Sequence, residues 1–160
     1  TNVYVFGDHG MCDVREHIDV MARVDALGLE IPRDYVPFYD STMARFQTRS
    51  PRARRELAAL LSSQPSGRLL GDDERIGLGV AFPDGRFGDL VFLVDPGVII
   101  LPSFMGAGAV AGMHGYHPDA GDMYSALFSN AALPAREMSI CDMAGLMLPG
   151  FGAGSGRGAR

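Results

Sequence analysis

The fold of this sequence is decided by its opening stretch, Val3-Tyr4-Val5-Phe6-Gly7-Asp8-His9-Gly10-Met11. A short run of residues that favour β structure, ended by a glycine, predicts a buried strand. Open α/β sheets carry their chemistry at the carboxyl ends of their strands. We therefore expect Asp8 and His9 to lie at the rim of such a sheet.

An acid beside an imidazole at a sheet rim indicates a metal site, because zinc accepts carboxylate oxygen and imidazole nitrogen as ligands. Gly10 would leave the backbone room to turn. A plain polar turn explains Asp8, His9 and Gly10 as well, and these residues alone leave both interpretations open. Cys12 lies close by, but its spacing from His9 matches no zinc-finger pattern, so a free thiol is favoured over a third ligand.

The composition is typical of one soluble domain with a hydrophobic core: 160 residues, 47% hydrophobic and 21% charged. A net charge of -5 leaves no basic footprint, which argues against a nucleic-acid polymer or a membrane surface as partner. Cys12 and Cys141 form no CxxC pair, which fits a reducing compartment.

No apolar run reaches the roughly 18 residues of a membrane span, and no leader precedes the first strand, so we expect a cytoplasmic protein. The chain begins with Thr1 and enters a strand at once. We therefore also expect it to be cut from something longer.

Two packing helices are predicted in the first half of the chain. The first is capped by Asp13 or Asp19, carries apolar residues from Ile18 to Leu27 at helical spacing, and stops at Gly28. The second begins at Ser50-Pro51 and has a leucine stripe opposite its arginines.

The segment Phe38–Phe46 indicates a strand or a strand and loop, with polar residues between aromatic ends. Ser41 or Thr42 would be a nucleophile if a neighbour activated its hydroxyl. The favoured interpretation is that these hydroxyls and Asp40 make local backbone hydrogen bonds, while Arg45 pairs with an acid.

The second half of the chain begins with two apolar runs, residues 90–94 and 98–101, which predict a β-hairpin or a strand-turn-strand. A Gly-rich loop follows and contains His114, beside which Gly115 would let a ligand approach. His117 precedes a proline and is held extended. Residues 122–130 predict another strand, 138–148 a helix, and 149–160 a Gly-rich disordered tail.

Two separated motifs resemble the alkaline phosphatase superfamily, and within it the type I phosphodiesterase/nucleotide pyrophosphatase branch. The first is Gly7-Asp8-His9-Gly10-Met11, and the second, about a hundred residues later, is Gly112-Met113-His114-Gly115-Tyr116. The segment Asp122–Phe128 is similar to the strand that follows the second motif in that family, and Tyr39–Phe46 is similar to a cap segment of a bacterial subgroup.

This resemblance implies an α/β fold over residues 1–148, the C-terminal part of an alkaline-phosphatase-like sheet flanked by helices. A small cap-like α+β segment would occupy about residues 30–100. It also implies a phosphoester hydrolase that uses two divalent metal ions, usually zinc, with manganese as the other option. Its substrate would be a small-molecule phosphoester, and a homo-oligomer is compatible with the sequence.

Carried over residue by residue, the resemblance makes Asp8 and His9 ligands of one metal and His114 a ligand of the other. Asp40, Thr42 and His117 are candidates for contacts to the substrate or to the metal ligands. The Thr or Ser nucleophile and the remaining ligands come earlier in the chains of that family. We therefore expect this chain to have no turnover by itself.

Two rival functions stay open. Asp8 and His114 followed by a serine would match the chain order of a subtilisin-like triad, but no Gly-Thr-Ser-type motif follows His114, and Ser41 precedes it. The other rival is a non-catalytic module of the same fold that binds a ligand or a partner.

Overall fold

The computed structural model describes residues 1–148, and the predicted tail, residues 149–160, lies outside the described residues. The strands are β1 (Tyr4–Phe6), β2 (Cys12–Asp13), β3 (Glu16–Ile18), β4 (Tyr35–Tyr39), β5 (Met43–Thr48), β6 (Gly67–Leu69), β7 (Leu90–Val94), β8 (Val98–Ile100), β9 (Gly112–Met113) and β10 (Leu127–Ser129). The helices are α1 (Val20–Asp25), α2 (Pro51–Ser62), α3 (Asp72–Gly77) and α4 (Met143–Met147), with short 3₁₀ turns at Gly121–Met123 and Ile140–Asp142.

The chain divides into two compact units. One contains Thr1–Asp8 and the described residues from Ser125 onward, and the other runs from His9 to Tyr124. Both contain strands and helical turns, so the predicted α/β class is confirmed.

The larger unit is built on an antiparallel sheet with the strand order β4-β5-β7-β6. Strand β5 alternates as a strand with one buried face should: Ala44 and Phe46 are fully buried, whereas Arg45 between them is on the opposite face. This sheet lies inside the range of about 30–100 that was predicted as a cap-like segment. The assignment of that range as a cap stays a prediction.

Helix α2 packs against this sheet and confirms the second predicted helix. The Ser50 side chain accepts a hydrogen bond from the Ala53 amide at 3.1 Å, and Pro51 occupies the first turn, where its missing N–H costs nothing. Leu57 and Leu61 are fully buried one turn apart. The helix therefore forms from local capping signals and is held by one apolar stripe.

The segment before α1 differs from the sequence prediction. Asp19 caps the helix, accepting from the Ala22 amide at 2.8 Å, but Ile18 lies in β3. Strand β3 pairs in parallel with β8, and Ile18 is opposite Ile100. The pairing of β8 with β3 also decides between the two alternatives predicted for residues 90–100. Strands β7 and β8 belong to different sheets, so this segment is a strand-turn-strand and not a hairpin.

In the smaller unit, β1 pairs antiparallel with β10. The prediction of a buried strand is wrong for β1 within the described part of the chain: Val5 and its cross-strand neighbour Phe128 are 60% and 67% exposed. The strand predicted over residues 122–130 is shorter, because a 3₁₀ turn occupies Gly121–Met123, and the helix predicted over 138–148 is reduced to a 3₁₀ turn followed by α4. None of the described helices has the length and apolar character needed to cross a membrane.

Candidate functional site

A two-stranded ladder brings the two sequence motifs together. Strand β2 pairs antiparallel with β9, with Cys12 opposite Met113. The first motif runs into β2 and the second runs out of β9, so the residues just outside this ladder are neighbours. The imidazole rings of His9 and His114 stack with their centroids 3.7 Å apart and their planes 16° from parallel.

The His9 ring is oriented by the next residue. Its Nδ1 is 2.8 Å from the carbonyl oxygen of Gly10, so Nδ1 carries the proton in this contact. The tautomer that results has its lone pair on Nε2, the nitrogen suited to a metal. The side chains of His9 and His114 are both exposed in this unit.

Gly10 is required by a close approach of backbone to backbone. Its amide donates to the Met123 carbonyl at 2.9 Å. A Cβ at this position would lie 1.9 Å from the carbonyl oxygen of Asp122 and 2.6 Å from that of Tyr124. Only glycine fits, and the turn that carries His9 is thereby packed against residues 122–124.

The backbone that follows His114 is held from two sides. Thr42 Oγ1 donates to the carbonyl oxygen of Gly115 at 2.8 Å, and Gly115 has a φ of 87°, which favours glycine. The Tyr116 hydroxyl donates to the Val98 carbonyl at 3.0 Å from a side chain that is only 5% exposed. Burial also raises the pKa of Tyr116, so the phenol stays a neutral donor.

Asp8, the third predicted metal ligand, is exposed and follows β1 in the smaller unit. Within residues 1–148, no group of three or more His, Cys, Asp or Glu side chains is arranged to hold a metal ion. Protein metal sites use three or four protein ligands. His9 and His114 are therefore donors of the right type that need additional ligands.

The turn between β4 and β5 contains Asp40, Ser41 and Thr42, and the local backbone hydrogen bonds expected there are confirmed for Asp40 but not for the two hydroxyls, whose partners Ser103 and Gly115 are distant in the chain. Asp40 Oδ1 accepts from the Ser41 amide at 2.7 Å. The Ser41 hydroxyl is 3.4 Å from that of Ser103, and both Ser41 and Thr42 are buried. Hydroxyls engaged in this way favour a structural role over a nucleophilic one.

His117 takes part in a charged network that the sequence reasoning missed. Its Nε2 is 3.1 Å from Glu74 Oε1, and its Nδ1 accepts from the Asp119 amide at 3.2 Å. Glu74 also accepts two hydrogen bonds from Arg68, at 2.6 and 2.5 Å. These bonds from Arg68 are the main reason that the pKa of Glu74 lies below its usual value.

Cys12 and Arg45 are two further side chains for which the sequence predicted a role. Cys12 is a buried free thiol, and burial raises its pKa, which agrees with a packing role. Arg45 was predicted to pair with an acid, and among residues 1–148 it has no such partner; its guanidinium instead contacts the rings of Phe38 and Phe87. The signal for half of this contact was in the sequence, because Phe38 and Arg45 flank a tight turn and are opposite each other in the hairpin.

Comparison with known proteins identifies structures that share the fold of this chain. No protein-family model matches the sequence, and no curated protein matches it. Solved structures do match: murine ectonucleotide pyrophosphatase/phosphodiesterase 5 with a TM-score of 0.60 at 20% identity, and the human protein of that name with 0.62 at 18%. Phosphonoacetate hydrolase from Sinorhizobium meliloti, in complex with phosphonoacetate, matches with 0.62 at 19%.

The chain shares its fold with these solved structures. The two mammalian matches cover 80% of this chain and the bacterial one 87%, and the matched region is the C-terminal portion of that fold. The chain spans 33% of the length of the mammalian structures and 38% of the bacterial one. The resemblance stated from the two motifs is thus confirmed at the level of the fold.

Proposed function

We propose that this chain forms the C-terminal portion of a two-metal phosphoester hydrolase of the phosphodiesterase/nucleotide pyrophosphatase type. The observation that carries the proposal is the stacking of His9 on His114, because two imidazoles from motifs about a hundred residues apart meet at one exposed place. A fold shared with phosphoester and phosphonate hydrolases supports the same conclusion.

In this proposal His9 and Asp8 bind one divalent cation and His114 binds the other. The ring separation of 3.7 Å puts the two imidazoles close enough to serve neighbouring cations, since the ions of two-metal sites lie about 3.5–4 Å apart. The hydrogen bond from His9 Nδ1 to Gly10 directs Nε2 to the ligand role. Zinc is favoured and manganese is the alternative, since both accept imidazole and carboxylate.

The paired cations, when bound, would neutralise charge on a phosphoryl group and lower the pKa of an attacking hydroxyl. The residues of this chain hold the imidazoles in place for that chemistry. Thr42 and Tyr116 fix the backbone on the far side of His114, and Gly10 fixes the turn at His9. Asp40 and His117 remain candidates for contacts to the substrate or to the ligands.

The nucleophile and the remaining ligands would come from sequence outside this chain, which is therefore inactive by itself. AMP is bound by an inactive variant of the murine neighbour, and phosphonoacetate by the bacterial one. These two compounds, together with a nitrophenyl phosphodiester and a nitrophenyl phosphomonoester, are the appropriate substrates or inhibitors to try.

The test uses the intact protein that contains this chain, with metal content measured by mass spectrometry and hydrolysis by nitrophenol release. We expect two metal equivalents and faster release from the diester. His114→Ala should lower the metal content and reduce the rate by at least about 100-fold. His17→Ala is the matched control, because His17 is exposed on β3 outside this site.

Normal turnover and normal zinc content in His114→Ala would refute the assignment of His114 as a ligand. An intact protein with neither bound metal nor hydrolysis would instead favour the non-catalytic binding module.

A further inference from the structure

Arg45 is held in an unusual way for a surface arginine. Its guanidinium carbon lies 4.5 Å from the ring centroid of Phe38 and 4.4 Å from that of Phe87. The guanidinium is therefore in contact with two aromatic rings. Phe38 is supported in turn by Phe104, whose ring centroid is 5.3 Å away.

The guanidinium of Arg45 has no hydrogen-bond acceptor or acid among residues 1–148. Its Nε is buried without a partner. Cation–π contact with two rings offsets part of the cost of removing this charge from water, but it leaves the buried Nε–H donor unsatisfied. A buried donor without a partner is rare in folded proteins, and a ligand that brings an acceptor is one explanation for it.

Arg45 lines a cavity. It measures about 140 Å³, and Arg45 and Arg86 both line it. Arg86 lies over the Phe82 ring at 4.5 Å and its Nε donates to Asp84 at 3.0 Å. The other lining residues are Val36, Pro37, Phe38, Phe46, Gln47, Phe87 and Gly88. The cavity thus has two cationic side chains and no acidic lining residue.

We propose that this cavity binds an oxyanion, the phosphate or carboxylate group of a small molecule. A guanidinium that contacts aromatic rings through its face keeps its N–H donors in its own plane, which is the geometry for bidentate contact to such a group. The volume suits it, since a water molecule occupies about 30 Å³ in the liquid and the cavity would hold a few. The site involves neither His9 nor His114 and does not depend on the proposed hydrolase function.

Phosphate titration of this chain, followed through the arginine Nε–Hε signals in ¹⁵N NMR spectra, tests the site. Inorganic phosphate, acetate and AMP at millimolar concentrations distinguish a free anion from one carried by an organic molecule. We expect the Arg45 signal to shift and saturate. Arg45→Lys should weaken binding at least about tenfold, because lysine keeps the charge but loses both the stacking and the bidentate donors.

Arg54→Lys is the matched control, because Arg54 is exposed on α2 and does not line the cavity. Arg86→Met, a change at an exposed side chain, should weaken binding severalfold and serves if the Arg45 variant does not fold. His114→Ala should bind the anion as the unchanged chain does, which separates this site from the metal site. Absence of an Arg45 shift with all three anions, or equal binding by Arg45→Lys, would overturn the proposal.

Discussion

Thr42 donates a hydrogen bond from its hydroxyl to the carbonyl oxygen of Gly115 over 2.8 Å, and thereby joins the tip of the β4–β5 hairpin to the residue after His114. Thr42 is 4% exposed, so water does not replace this donor easily. We expect Thr42→Val, which keeps the shape and removes the donor, to lower the free energy of unfolding by about 1 kcal/mol. Urea denaturation measures this change.

A serine at position 42 separates the effect of the Thr42 hydroxyl from that of its methyl group. Thr42→Ser keeps the donor, so its amide signals for His114 and Gly115 should stay closer to those of the unchanged chain than the signals of Thr42→Val do. Equal stability of the two variants, with equal signals, would mean that the bond does not position the His114 segment.

Gly10 is the second residue on which the His9–His114 contact depends. A methyl group there would lie 1.9 Å from the carbonyl oxygen of Asp122 and 2.6 Å from that of Tyr124, and these are backbone atoms that cannot rotate away. We expect Gly10→Ala to cost roughly 2 kcal/mol or more of stability, because the turn must move. The ring signals of both histidines should shift in NMR spectra as the stacking is lost.

Gly121→Ala provides the matched comparison for Gly10→Ala. Gly121 lies in the same region, and a Cβ there would meet no atom within 4 Å. This variant should be as stable as the unchanged chain or slightly more so. Similar losses in both variants would show that the close approach at Gly10 is not the cause.

Much of the fold follows from local signals in the sequence. Ser50 and Pro51 identify the start of α2, and Asp19 was one of two candidates for the cap of α1. The meeting of His9 and His114 was expected from two motifs that resemble one family, and their rings are stacked. Their role as metal ligands stays a prediction.

What the sequence did not indicate depends on contacts between distant residues. Ile18 fits a helical spacing, but parallel pairing with β8 keeps it in a strand. Arg45 was expected beside an acid, and the ring of Phe87 from a later loop covers it instead. Val5 is exposed although its neighbours favour a buried strand, because burial requires a second layer that no local pattern supplies.

Glu74 makes the stability of the folded chain depend on pH. Its pKa in the folded chain is lowered from 4.5, chiefly because Arg68 donates two hydrogen bonds to the carboxylate. A lowered pKa contributes stability that is present above the unfolded value of 4.5 and is lost as the pH falls through the folded value. We expect Glu74→Gln to be less stable at pH 7, by about 1 kcal/mol or less, since the pair is partly exposed.

The difference between Glu74→Gln and the unchanged chain should shrink as the pH falls through the lowered pKa of Glu74, below which both carry a neutral group at this position. Urea denaturation at several pH values measures it. Glu56→Gln is the control, because Glu56 pairs with Arg52 on the surface of α2, with side chains 36% and 55% exposed. A stability difference for Glu74→Gln that is the same at every pH would contradict the role of its carboxylate.

Tyr116 anchors the His114 segment to β8, because its buried hydroxyl donates to the Val98 carbonyl at 3.0 Å. Tyr116→Phe leaves that carbonyl without this donor while the ring still fills its space, so we expect a loss of about 1–2 kcal/mol in the free energy of unfolding. Tyr124→Phe should change stability little, since Tyr124 is 68% exposed. If the Tyr116 bond also positions His114, the ring signals of His114 should shift in Tyr116→Phe and stay unchanged in Tyr124→Phe. A stability loss without that shift would limit Tyr116 to packing.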